Sequence, residues 1–270
     1  MPVNTPSPVL PFYFGPADKR LFGCYHEPSG TKNRKCAVVI CQPMGHEYIY
    51  CHRALRQLAA RLCEAGFPVL RFDFSGCGDS SGEAEDGTLA RWLHDTCLAV
   101  TEIKNKTGVA RVCLIGIRLG AALAFAAAAE CNDVDSVVLW DPVVLGRTYL
   151  EDLSRLQSDA LQRRRTPIRK RPGGPVEVIG FPLPPALVSE LEELDLLTVV
   201  SNPGIQILQI QSDESEDEWS LKHRLMSHGT RFEYQQVQAP KVWQPTVDGN
   251  LLVPVQVLRS IVSWTSRTQA

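Results

Sequence analysis

With 270 residues, 44% of them hydrophobic and 21% charged, the chain can bury a substantial core as one large domain or as a domain with an insertion. A formal net charge of −2 excludes the global basic excess of a nucleic-acid binder, and no apolar run reaches the roughly 20 residues a membrane span needs. Nine scattered cysteines without a CxxC pair, and a start MPVNTPSPVL that lacks the basic and apolar regions of a signal peptide, make reduced thiols and a cytoplasmic location the expectation.

PFYFGPADKRLFGCYHEP reads as two short strands around a Pro-Ala-Asp turn, an antiparallel hairpin. KCAVVICQP is a continuous apolar run, expected of a strand buried on both faces of a parallel sheet. CHRALRQLAARLCEAGF has apolar residues at helical spacing and closes at Gly66. Strand PVLRFDF, helix GTLARWLHDTCLAVTEIKNKTG ending at Gly108, strand RVCLIGI, helix LGAALAFAAAAE and strand VDSVVLWDPV follow. This alternation implies an α/β fold, a mostly parallel central sheet with right-handed crossovers and helices on both faces.

The pattern then breaks. Residues 146–202 hold a basic cluster, RRRTPIRKR (163–171), a Pro-Gly-rich patch, RPGGPVEVIGFPLPP, and a helical stretch, ALVSELEELDLL. Strand GIQILQIQ, helix EDEWSLKHRLMSHG, strand TRFEYQQV and a closing helix in LLVPVQVLRSIVSWTS resume the sheet. The expected organisation is a core in two parts, 1–145 and 203–270, with a lid inserted at 146–202 between the sixth and seventh strands. The alternative for the insertion is a long surface loop.

Within VCLIGIRLGAALAFAAA, a buried strand, a tight turn and an alanine-rich helix follow in immediate succession. That is the layout of a Gly-x-Ser-x-Gly nucleophile elbow, but the turn reads Gly116-Ile117-Arg118-Leu119-Gly120. RLFGCYHEP followed by AVVICQPMGHEY, GFPVLRFDFSGCGDSSGE of the form R-x-D-x-x-G-x-G-x-S-x-G, and LIGIRLGA together resemble the α/β-hydrolase superfamily, in its serine aminopeptidase-like branch. VEVIGFPLPPALVSELEELDL is further similar to the exosortase-associated hydrolase branch, where departures at the elbow also occur. The resemblance implies an α/β-hydrolase fold, with an oxyanion-hole loop at Gln42-Pro43-Met44-Gly45-His46 and a triad in the chain order Ser, acid, His.

The triad is incomplete. Arg118 replaces the nucleophile, and a permanently protonated guanidinium has no nucleophilic electron pair. The loop that should carry the histidine, QAPKVWQPTVDGN, has none. Of the six histidines (26, 46, 52, 94, 223, 228) only His46 falls in a loop expected to rim the site. Asp213, in QSDESEDEW, stands about where the acid belongs, or simply caps the next helix. The literal match Gly78-Asp79-Ser80-Ser81-Gly82 is followed by EAEDG rather than a buried helix, so neither serine is taken as a nucleophile. Cys41 is read as a small buried core residue rather than a thiol nucleophile.

An arginine at a strand end and helix N-terminus makes an anion site, because the helix N–H groups already favour negative charge and the guanidinium adds a planar donor fork. The expected anion-binding residues are Arg118, Leu119, Gln42 and Gly45. Asp141, His46, Glu47 and Asp73 are candidate acid/base groups near strand C-terminal ends. The expected activity is therefore non-covalent acid–base chemistry, such as elimination, cyclisation or a lyase step, on a small anionic metabolite. Arg163, Arg164, Arg165, Arg169, Lys170 and Arg171 either steer that anion or form a solvated surface. Two alternatives stay open. Arg118 pairs internally with Asp141, Glu47 or Asp73 and plugs a dead site, leaving a scaffold or regulatory subunit whose homo- or heteromeric partner docks on 146–202. Otherwise the chain is a conventional esterase, thioesterase or peptidase. No cofactor, nucleic acid or membrane is expected, nor any metal, since no histidine–carboxylate cluster shows ligand spacing.

Overall fold

The computed structural model describes residues 8–29, 34–163, 176–202, 204–212, 216–227, 231–244 and 252–269. Strands β1 (Val9–Phe14) and β2 (Leu21–His26) form the antiparallel hairpin, followed by β3 (Cys36–Cys41), helix α1 (Gly45–Glu64) and β4 (Val69–Phe72). Next come α2 (Leu89–Thr107), β5 (Arg111–Ile117), α3 (Leu119–Glu130) and β6 (Val134–Trp140). Between β6 and the next core strand lie α4 (Gly146–Arg163), the small hairpin β7 (Val176–Val178) and β8 (Phe181–Leu183), and α5 (Pro185–Glu193). The chain closes with β9 (Gln206–Gln211), α6 (Glu216–Ser227), β10 (Arg231–Gln236) and α7 (Val255–Thr268). Among the described residues the central sheet has eight strands in the order β1-β2-β4-β3-β5-β6-β9-β10, antiparallel only where β2 meets β1 and β4. This is the α/β-hydrolase fold.

The continuous apolar runs are explained by the two faces they feed. Along β3, Ala37, Val39 and Cys41 join the core under α2 and α3, while Cys36, Val38 and Ile40 join the core under α1 and α7. Helix α3 has no polar face in its first ten residues because the sheet, α2 and the segment after β6 surround it. Its close seat requires glycines. A Cβ on Gly116 would stand 2.3 Å from the Gly120 carbonyl oxygen, and a Cβ on Gly120 would stand 2.4 Å from the carbonyl oxygens of Cys41 and Gln42.

Two expectations need correction. Helix α1 begins at Gly45, not at Cys51, so Gly45, His46 and Glu47 lie in its first turn rather than in a loop. Apolar spacing misses that turn because its buried members, His46 and Glu47, are polar and face the interior. The second concerns 146–163, which forms helix α4 where the sequence pattern points to none, with Tyr149 and Leu153 buried four residues apart on one face. Helix α4 packs on α5, and α5 on α2. Residues 164–171 of the basic cluster, Asp213 and His228 fall outside the described residues. No helix among the described residues is long and apolar enough to cross a membrane.

Candidate functional site around Arg118

Strand β5 hands over to α3 through Arg118 alone, which sits at φ 54°, ψ −125°. A positive φ is costly for a residue with a Cβ, on the order of 1–3 kcal/mol, and persists only when its surroundings over-determine it. Here they do. The Arg118 N–H donates to the Trp140 carbonyl at 3.1 Å, and the Arg118 carbonyl accepts from Ala121 at 3.0 Å and Val143 at 3.2 Å. Asp141, at the neighbouring strand end, also has a positive φ, 44°. Its N–H donates to the Ile210 carbonyl at 2.9 Å.

The Arg118 side chain is 15% exposed and runs into a cage formed by four separate segments of the chain. Its Nε donates to Glu47 Oε1 of α1 at 3.1 Å, and Nη1 donates to the Asp141 carbonyl at 3.4 Å. The guanidinium lies 5.0 Å from the ring centre of Trp243 and 5.6 Å from that of Tyr149. The Tyr149 hydroxyl of α4 donates to the second Glu47 oxygen at 2.9 Å. Burial works against the charge on Arg118, but Glu47, Tyr149 and Asp141 outweigh it and hold the guanidinium protonated. Burial and the Glu47 charge push the Tyr149 phenol well up, which keeps it a donor.

Of the three proposed internal partners, then, Glu47 forms the ion pair. Asp141 offers Arg118 only its main-chain oxygen; its carboxylate Oδ1 accepts from the Ser212 N–H at 2.7 Å. Its Oδ2 is buried with no hydrogen-bond partner among the described residues. Burial raises the Asp141 carboxyl, against the opposing pull of Ser212 and Arg118. Asp73 belongs to a different cluster. It accepts from Gln42 Nε2 at 3.2 Å, from the Tyr48 hydroxyl at 3.3 Å and from the Asp79 N–H at 3.2 Å.

The remaining sequence candidates divide in the same way. His46 is buried beside Glu47, and desolvation, aided by Arg118 and opposed by Glu47, lowers its pKa, so the ring is neutral near pH 7. Leu119 is buried at the first position of α3. Gly45, at φ 57°, lies against the Phe181 ring of β8. The Gln42 amide is held by Asp73 rather than facing Arg118. The Ser80 hydroxyl is buried, accepting from the Phe22 N–H at 2.8 Å and donating to the Asp73 carbonyl at 2.6 Å, a loop clamp and not a nucleophile. Cys41 is fully buried and its thiol is pushed up to about 12 by desolvation.

A cavity of about 130 Å³ opens at the strand ends, lined by Arg118, Asp141, Tyr149, Asp152, Lys241 and Trp243 among others. That is close to the ~150 Å³ that accommodates a benzene-sized molecule. The sequence alone does not point to Tyr149, Lys241 or Trp243. Trp243 sits in KVWQP, in the loop after β10, and Tyr149 on α4. Among the described residues no group of three or more His, Cys, Asp and Glu side chains is arranged to hold a metal ion.

Comparison with known proteins agrees with this architecture. No curated protein matches the chain in sequence. Est1E of Butyrivibrio proteoclasticus, seen with ferulic acid bound, superposes with a TM-score of 0.68 at 17% identity, covering 96% of this chain and 98% of that one. The Pyrococcus furiosus esterase Pf2001 has a TM-score of 0.68 at 17% identity, covering 98% of this chain and 92% of that one. A Xanthomonas campestris α/β serine hydrolase described as lacking a lid, XC6422, has a TM-score of 0.63 at 13% identity, with 98% and 97% covered. Those identities establish the fold alone. The family model described as serine aminopeptidase, S33, matches residues 33–231, so the chain belongs to that family of the α/β-hydrolase superfamily.

Proposed function

We propose that this family member has abandoned acyl-enzyme chemistry at the β5–α3 turn and binds a small anionic metabolite in the cavity beside Arg118. The observation that carries the reading is a guanidinium at the position of an elbow nucleophile, oriented by Glu47, set against the rings of Trp243 and Tyr149, and still opening on a cavity. Among the described residues its hydrogen bonds use Nε and Nη1, which leaves Nη2 for a carboxylate or phosphate oxygen. The first N–H groups of α3, at Leu119 and Gly120, lack intrahelical acceptors and add their dipole to the same corner. Gln42, engaged with Asp73, and Gly45, against Phe181, do not line the cavity and take no part in this site.

In this reading the chemistry is an elimination, cyclisation or lyase-type proton transfer. Asp141 leads His46 and Glu47 as the acid/base group, because burial already favours its neutral form and it lines the cavity. Glu47 orients Arg118, and α4 with the rest of 146–202 serves as the lid. Titration calorimetry with acetate, phosphate and small dicarboxylates tests it. Binding that disappears in Arg118→Ala, with no labelling by a fluorophosphonate probe, is the expected result. Unchanged binding in that variant, or stoichiometric labelling, overturns it.

One observation favours a second reading. Glu47 already neutralises Arg118 inside the fold, as expected of a plugged site in a non-catalytic scaffold or regulatory subunit whose partner docks on 146–202. Under it, no small anion binds and Arg118→Ala changes only stability.

A further inference from the structure

Seven of the nine cysteines are explained by packing or by thiols held protonated through burial: Cys24, Cys36, Cys41, Cys51, Cys63, Cys77 and Cys113. The other two are not. Cys97 lies on α2 and Cys131 caps the C-terminus of α3, and their Sγ atoms are 2.7 Å apart across the helix–helix contact. Both are half-buried, so a small reagent reaches them, and both are free thiols here. A covalent S–S bond of about 2.05 Å needs a further approach of only a fraction of an ångström. The close contact between the sulfurs also separates their acidities. The Cys97 thiol beside it pulls the Cys131 thiol below its ordinary value, against burial and the charges of Glu130 and Asp133. Cys131 is alone among the nine cysteines in being shifted that way.

We propose that Cys97 and Cys131 are a reversible redox modification site, closing a disulfide that staples α2 to the end of α3 by exchange with a low-molecular-weight disulfide. The Cys131 thiolate attacks one sulfur of the small disulfide, forming a mixed disulfide and releasing one small thiolate. Cys97 then gives its proton to solvent and attacks the Cys131 sulfur, expelling the second small thiolate. The protein loses two protons and two electrons, and the small disulfide is reduced to two thiols. The staple ties down the helix that begins one residue after Arg118.

The test uses the folded full-length chain incubated with oxidised glutathione, capped with N-ethylmaleimide and digested with trypsin. The expected product is the peptide 92–104 joined to 119–147, two hydrogens lighter than its parts and separated again by reduction. The apparent melting temperature should rise by several degrees with the bond formed. In Cys97→Ser, Cys131 should stop at the glutathione adduct and react with iodoacetamide several-fold more slowly near pH 7. In Cys131→Ser, Cys97 should remain mostly reduced. Maleimide on both residues after oxidation, a cross-link to a different cysteine, or a bond that forms only in denaturant would each overturn the assignment.

Discussion

Glu47 and Arg118 form an ion pair, Oε1 to Nε at 3.1 Å, that joins the first turn of α1 to the β5–α3 turn across 71 residues of sequence. The carboxylate is 3% exposed and the guanidinium 15%, so each charge depends on the other for most of its lost hydration. The Tyr149 hydroxyl completes the carboxylate and thereby ties α4 to the same pair.

Breaking the pair from one side should therefore be expensive. Glu47→Ala is expected to lower stability by about 3–5 kcal/mol, because it leaves a buried guanidinium uncompensated. Glu47→Gln, which retains an acceptor, should cost less. The double replacement Glu47→Leu with Arg118→Met should recover most of the loss. Urea midpoints for the four proteins check this, and a double variant no more stable than Glu47→Ala would contradict it.

Placing a serine at the turn should not create a hydrolase. In Arg118→Ser the backbone geometry of the elbow is retained, but no histidine stands in the described part of the loop after β10. The neutral His46 lies in the first turn of α1 instead. Assays with a p-nitrophenyl ester and a fluorophosphonate should both stay at background. Turnover would identify His46 as a competent base.

His26 should shape the acid limb of the stability curve. Burial, assisted by Arg71 and Arg56, lowers its pKa from 6.5 to about 4, and its Nε2 accepts from Arg71 Nε at 3.0 Å. A depressed folded-state value contributes stability that is present above pH 6.5 and lost as pH falls towards 4. The contribution is up to roughly 3 kcal/mol. Denaturation series between pH 7 and 4 should be flatter for His26→Gln than for the parent chain.

Asp141 should act in the opposite direction. Its carboxyl is raised by burial, so the stability it contributes is present below the ordinary carboxylate range and lost as pH rises through the folded-state value. Asparagine tolerates the 44° φ and keeps an acceptor for the Ser212 N–H. Asp141→Asn is thus expected to gain stability relative to the parent as pH rises from 4 to 7. A constant difference across that range would show that the carboxyl does not titrate there.

Much of this architecture was legible before any coordinates. The strand-turn-helix around Arg118, the hairpin at β1 and β2, and the α2 stop at Gly108 follow from apolar period and local turn chemistry, which short-range sterics enforce. The start of α1 and the whole of α4 were not legible, because their informative residues are His46, Glu47 and Tyr149. Their burial is favourable only once Arg118 is there to meet them.

That no nucleophile stands at the turn follows from the residues alone, since a guanidinium's lack of a nucleophilic electron pair is a property of arginine wherever it is placed. Which of three carboxylates holds the arginine is set by the three-dimensional fold. Asp73 is engaged with Gln42 and Tyr48, and Asp141 turns its carboxylate to Ser212, while Glu47 is carried to the guanidinium by the first turn of α1. That choice depends on the desolvation and geometry of groups far apart along the chain, which no local pattern records.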